Sequence, residues 1–181
     1  ISMCEVMESM PRWLIVRFTC PLFQVLITSY HAPHAWLDKG VAATMWWQTF
    51  TKIQKKYVGC TSIWLGDANT SPKHEYKSPA FGGLGMPSEG KHFHLFNKAA
   101  EQNQVRIAST FPELCSKGTR LITFIRLHAE VTDDYIGITD DIHCLPKTIK
   151  TLDDFDMCNK QDDHVPVVAK LVLPITAITP K

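Results

Sequence analysis

Two runs rich in β-branched and aromatic residues, 13–19 (WLIVRFT) and 23–30 (FQVLITSY), are separated only by Cys20-Pro21-Leu22. Side chains of these types suit a pleated, half-buried surface, so the spacing predicts two neighbouring strands joined by a tight turn. The second run stops at His31-Ala32-Pro33-His34, and the periodicity then changes. From Val41 to Tyr57 the apolar residues Val41, Met45, Trp46, Phe50, Ile53 and Tyr57 share a helical spacing, with Gln48, Lys52, Lys55 and Lys56 between them. That pattern predicts an amphipathic helix. Gly59 ends it, and 62–65 (SIWL) reads as a short buried strand running into Gly66-Asp67-Ala68-Asn69.

Residues 70–90 are rich in Ser, Pro and Gly without periodicity, which predicts a long loop. A second helix is expected over Lys91 to Asn103, with Phe93, Phe96 and Ala100 on one face and Ser88 as its cap. Short strands are expected at 105–109, 121–127, 134–138 and 165–173. This order predicts an α/β protein with helices on one face of a mixed sheet. The 181 residues fit a single domain, 1–181, with a full hydrophobic core.

With 19 Lys and Arg against 18 Asp and Glu, the formal charge is +1, so any polyanionic partner must be held by local features and not by a global basic field. No apolar run approaches the roughly 20 residues a membrane span needs. Cys4, Cys20, Cys60, Cys115, Cys144 and Cys158 form no C-x-x-C pair, which argues against a thiolate zinc site. Reduced, mostly buried thiols are expected, and with them an intracellular setting, cytoplasmic or nuclear. The start, Ile1-Ser2-Met3-Cys4, has neither an initiator Met nor a signal-peptide pattern, so a fragment or processed chain is expected.

Polar residues collect where strands end: His31 and His34, Asp67 and Asn69, Asp134, and Asp163-His164. Side chains at neighbouring strand ends meet on one rim of a sheet and can build a single pocket. Oxygen donors of this kind suit a hard cation such as Mg²⁺ better than zinc. Trp36, Trp46 and Trp47 could stack on bases, but packing in the core or on a helix face is the expected role. His92 and His94 fall in the second helix and are expected on the surface. Neither a nucleotide phosphate loop nor a G-x-S-x-G elbow is present, and Gly82-Gly83-Leu84-Gly85 lacks a preceding strand.

In order, SYHAPH, WLGDAN, STF, DDYIGI and DDHVPVV resemble the motifs of the endonuclease/exonuclease/phosphatase superfamily, over about residues 12–174. The most specific pieces are Gly66-Asp67-Ala68-Asn69, which is similar to the family's G-D-x-N, and Asp163-His164, which is similar to its D-H pair. The resemblance implies a two-sheet α/β sandwich and a metal-dependent phosphodiesterase using Mg²⁺ or Mn²⁺, most naturally an endonuclease-type hydrolase of nucleic acid. By the same resemblance Asp67 orients or deprotonates the attacking water, and Asn69 holds that water or a phosphate oxygen. His164 contacts the phosphate, and Asp163 accepts from its ring and serves as a metal ligand. His31 protonates the leaving oxygen or contacts the phosphate, His34 lies where some members carry a phosphate-contacting Asn, and Asp134 is the matching carboxylate of the D-Y step. The arginine position of the family's Arg-Ile-Asp-Tyr is replaced, since the chain reads Thr132-Asp133-Asp134-Tyr135. The first half of the family domain, with its Asn and metal-binding Glu, has no counterpart before residue 12. A catalytically inactive remnant acting as an interaction or structural module is therefore the alternative expectation.

Overall fold

The computed structural model describes residues 3–117, 121–126, 129–152 and 163–175, with the side chains of Arg126, Ala129 and Asp163 left aside. Its main sheet starts with a strand the sequence reading does not anticipate, β1 (Met3–Met10). Met and Glu carry little β-propensity, and this strand exists through antiparallel pairing with β2 (Trp13–Thr19). Salt bridges from Arg17 to Glu5 and from Lys56 to Glu8, each 2.6 Å, fasten it. The anticipated hairpin follows, as β2 pairs antiparallel with β3 (Gln24–His31). Helix α1 (Val41–Gln54) then crosses over, and β4 (Ser62–Asp67) lies parallel to β3.

Residues 70–90 form the expected long connection, held by isolated bridges from Lys73 to Met86 and from Lys77 to Gly82. Helix α2 spans Phe93–Gln102, and its N-cap is His92, not Ser88. His92 is buried, contrary to the surface position expected of it, because its Nε2 lies 3.4 Å from the Thr44 hydroxyl of α1. Strand β5 covers only Val105–Ile107, since Ala108–Thr110 turn into a 3₁₀ helix. Then come β6 (Phe124–Arg126), β7 (Ala129–Val131) and β8 (Asp134–Thr139), the last lying antiparallel between β4 and β5.

The expected strand at 165–173 is broken. The remaining elements are β9 (His143–Cys144), β10 (Lys150–Thr151), β11 (Asp163–His164), β12 (Val167–Val168) and β13 (Leu171–Val172). β11, just before the segment, joins β6, while within it β12 joins β10 and β13 joins β9, so two different partners divide it. The main sheet has the order β1-β2-β3-β4-β8-β5.

Alternation along these strands makes two apolar layers. On one face Trp46, Trp47 and Phe50 of α1 and Phe93 and Phe96 of α2 pack on Trp13, Ile15, Leu26, Tyr30, Trp64 and Tyr135. On the other, Ile63, Ile136 and Ile138 meet Cys144, Ile149, Val167 and Leu171 from the later segments. Trp46 and Trp47 take the core role expected of them. Trp36 does not, being 73% exposed. The described cysteines are free, but only Cys115 and Cys144 are buried, so the expectation of mostly buried thiols fails. Among the described residues no helix is long and apolar enough to cross a membrane.

Gly66 lets β3 and β4 approach where the polar rim begins. A Cβ there would lie 2.0 Å from the Tyr30 carbonyl oxygen. Gly66→Ala must therefore part the two strands, and it is expected to cost about 3 kcal/mol, the upper range for overpacking. Urea unfolding should show this as a lower midpoint at unchanged slope.

A polar rim at the carboxyl ends of the parallel strands

His31 and Asp67 are the last residues of β3 and β4 and are register partners, and Asp134, the first residue of β8, is the register partner of Asp67. Three neighbouring strands thus put three ionisable side chains on one end of the sheet. His164 arrives from β11, which belongs to the smaller sheet with β6 and β7 and not to the main one. The expectation that all these residues sit on a single sheet is corrected in that respect.

What brings the second sheet to the rim is Thr123, fully buried. Its hydroxyl oxygen accepts the backbone N–H of Asp133 at 3.0 Å and of Asp134 at 2.9 Å, and its carbonyl accepts Val165 N–H at 2.7 Å. Tyr135 adds a second tie, with its hydroxyl 2.6 Å from the Thr132 carbonyl and 3.1 Å from that of Thr70. Nothing in the sequence marks Thr123, which lies in an ordinary strand-like run.

The carboxylate of Asp67 is the hub. Asn69 donates its backbone N–H to Oδ1 at 2.7 Å and its side-chain Nδ2 to Oδ2 at 3.0 Å, while His31 Nε2 lies 3.5 Å from Oδ2. Asn69 has φ 47°, a left-handed conformation that Asn tolerates better than most residues. Its Nδ2 also donates to the Ala32 carbonyl at 2.7 Å. Both amide hydrogens are thereby engaged, which leaves its side-chain carbonyl oxygen able to accept a hydrogen bond. Of the two roles expected of this amide, holding the water or a phosphate oxygen, an acceptor suits the first.

His164 donates Nδ1–H to Asp134 Oδ2 at 2.7 Å, which fixes its tautomer. The carboxylate on this nitrogen is that of Asp134, where the sequence reading expected Asp163; the side chain of Asp163 lies outside the described residues. The imidazole ring also packs 4.8 Å from Phe124. His34 makes no contact with Asp67; it stands edge-on to His31 at 6.5 Å and stacks on Trp36 at 5.3 Å.

Burial raises the carboxyl of Asp67 above the usual range, reinforced by the Asp134 charge and opposed chiefly by the Asn69 N–H. Asp133, which sequence reasoning passed over in favour of its neighbour, is pushed up to about 7, first by burial and then by the charges of Asp67 and Asp134. Five groups on this rim are therefore linked electrostatically: His31, Asp67, Asp133, Asp134 and His164.

Asp67 and Asp134 are oxygen donors of the kind Mg²⁺ or Mn²⁺ takes. Both are already engaged, by Asn69 and by His164 respectively. Among the described residues no three His, Cys, Asp or Glu side chains stand together in an arrangement that could hold a metal ion. On their own, these residues do not fit the expected cation.

No protein-family profile matches the sequence, and no curated protein matches it. Solved structures do. The endonuclease domain of TRAS1, a telomere-specific non-LTR retrotransposon, superposes with TM-score 0.58 at 13% identity, over 95% of this chain and 68% of that one. An AP endonuclease from Archaeoglobus fulgidus gives 0.57 at 15%, over 86% and 64%. An endonuclease/exonuclease/phosphatase family protein from Bacteroides thetaiotaomicron gives 0.52 at 17%, over 90% and 55%. The chain has the endonuclease/exonuclease/phosphatase fold, and it spans between 55% and 68% of the lengths of these structures.

Proposed function

We propose that this chain carries the phosphate-handling rim of a phosphodiester hydrolase acting on nucleic acid. The observation that carries the reading is the convergence of His31, Asp67, Asn69, Asp134 and His164, from four separated segments, at the carboxyl ends of parallel β3 and β4. Open α/β sheets bind ligands outside those ends. Two of the solved structures that share the fold are, by name, endonucleases, which supports nucleic acid as the substrate class.

In this reading a water accepted by Asn69 Oδ1 gives its proton to Asp67 as its oxygen attacks phosphorus. The bond from phosphorus to the leaving oxygen breaks, and His31 supplies that oxygen's proton. His164, kept in one tautomer by Asp134, stabilises the charge that accumulates on the phosphate oxygens. Raising the Asp67 carboxyl by burial makes it a stronger base than an exposed one. His34 enters the proposal as a flanking phosphate contact, and Asp163, whose side chain lies outside the described residues, is assigned no step.

Cleavage of a labelled single-stranded oligonucleotide under single-turnover conditions tests the reading. Slow hydrolysis that disappears in His164→Ala supports it. Tight binding with no turnover, with or without Mg²⁺, supports instead the inactive interaction module. Neither binding nor cleavage would exclude both. The lack of a three-donor arrangement among the described residues predicts that the chain alone binds Mg²⁺ weakly, with a Kd above about 1 mM. Calorimetric titration should then show no saturation in the micromolar range, and EDTA should leave Tm unchanged.

A further inference from the structure

We infer that Trp36, backed by His34, is a stacking subsite for an unpaired nucleobase beside the rim; the inference rests on the hydrolase reading and narrows its substrate to single-stranded nucleic acid. Trp13, Trp46, Trp47 and Trp64 are all buried, whereas Trp36 is 73% exposed. An indole left in water forgoes a large apolar burial that the other four obtain.

Its ring contacts lead back to the rim. The ring stacks on His34 at an interplanar angle of 21°, His34 meets His31 at 90°, and His31 Nε2 reaches to 3.5 Å from Asp67. A row of rings thus leads outward from the rim to Trp36. Behind it, Asp38, Lys39 and Gly40 all have positive φ, at 48°, 53° and 87°. Left-handed conformations at two non-glycine residues are strained and persist only where the surroundings impose them. Here the His34 carbonyl accepts Leu37 N–H at 3.2 Å, and Lys91 Nζ donates to the Lys39 carbonyl at 3.1 Å. The indole stays exposed on this turn, which also carries the exposed Lys39, and the exposed Lys91 is bonded to the Lys39 carbonyl.

An exposed aromatic face on a turn that carries lysines suits an unstacked base and its phosphates. In a duplex the base faces are already covered by their neighbours, so the single strand is the form that fits. With a net charge of only +1, the chain has no general attraction for polyanions, and such a local device is what binding would need.

The test titrates the intact chain, Trp36→Ala and Trp36→Phe with an oligothymidylate, an abasic oligomer of equal length and the corresponding duplex, following anisotropy and tryptophan fluorescence. The wild-type chain is expected to bind oligothymidylate about tenfold more tightly than the abasic oligomer, with quenching of its exposed tryptophan. Trp36→Ala should erase that difference, Trp36→Phe should keep part of it, and abasic affinity should be the same in all three proteins. Equal wild-type affinity for base-bearing and abasic strands would overturn the subsite while leaving the phosphate reading standing. A base preference that survives Trp36→Ala, or a duplex bound as tightly as the single strand, would also overturn it. Protection of Trp36 by a hexose phosphate but not by oligothymidylate would assign the ring to a sugar instead. If no phosphodiester binds at all, the hydrolase reading fails and takes the subsite with it.

Discussion

Asp67→Asn is expected to slow hydrolysis of a bound phosphodiester by about 10²–10⁴-fold, the range that a positioned proton acceptor contributes. The amide has nearly the shape of the carboxylate, and its oxygen can still accept the Asn69 backbone N–H that now reaches Oδ1 at 2.7 Å. It cannot take a proton from water. Substrate binding should hold or tighten, because one negative charge facing the phosphate has been removed. The rate profile carries a second signature. Burial holds the Asp67 carboxyl above its ordinary range, so the wild-type rate should rise with pH through an inflection higher than that of an exposed carboxylate. Rapid-quench measurement of the bound substrate, beside equilibrium binding, separates the two effects. Lost binding with an unchanged rate on bound substrate would make Asp67 a turn residue and nothing more.

A large effect on stability is expected at Asp133. Its carboxyl titrates near 7 in the folded protein and near 4 in the unfolded chain. Between those values the folded state holds the extra proton, so stability falls as pH rises from about 4 to about 7 and is flat above. The full difference is on the order of 4 kcal/mol. Asp133→Asn removes the buried charge and should raise Tm at pH 8 by roughly 8–16 °C relative to the wild-type chain, and by much less near pH 4.5. Calorimetric scans of both proteins across this range check the sign directly. A variant less stable than wild type at pH 8 would mean that the ionised carboxylate is held by partners that stabilise it.

How much of this could be read from the sequence depended on how local each signal was. The hairpin of β2 and β3, helix α1 and strand β4 announce themselves through period and composition, since each is decided by its own residues. So is the turn at Asp67-Ala68-Asn69, where short polar side chains satisfy the backbone close by. β1 was missed because MCEVMESM becomes a strand only by pairing with β2. The 165–173 segment was misread because its apolar run is shared among β10, β9 and their neighbours, partners that no local pattern reveals. At the rim, His31, Asp67, Asn69 and Asp134 stood out as polar residues at strand ends. Thr123 and Asp133 did not, since their importance comes from the contact between two sheets and from burial. The general behaviour of tryptophan predicts packing for Trp36, and only the fold shows it facing water.

The central claim is that His31 and His164 serve one phosphate while Asn69, beside Asp67, holds the attacking water, and the most direct measurement is nitrogen-edited NMR during titration with dimethyl phosphate. This ligand has a phosphodiester but no base, so Trp36 does not enter. The account predicts that the two imidazoles and the Asn69 side-chain amide shift together with a single Kd, and that His164→Ala weakens the response of the other two. Shifts confined to one histidine, or two histidines saturating at different concentrations, would contradict it.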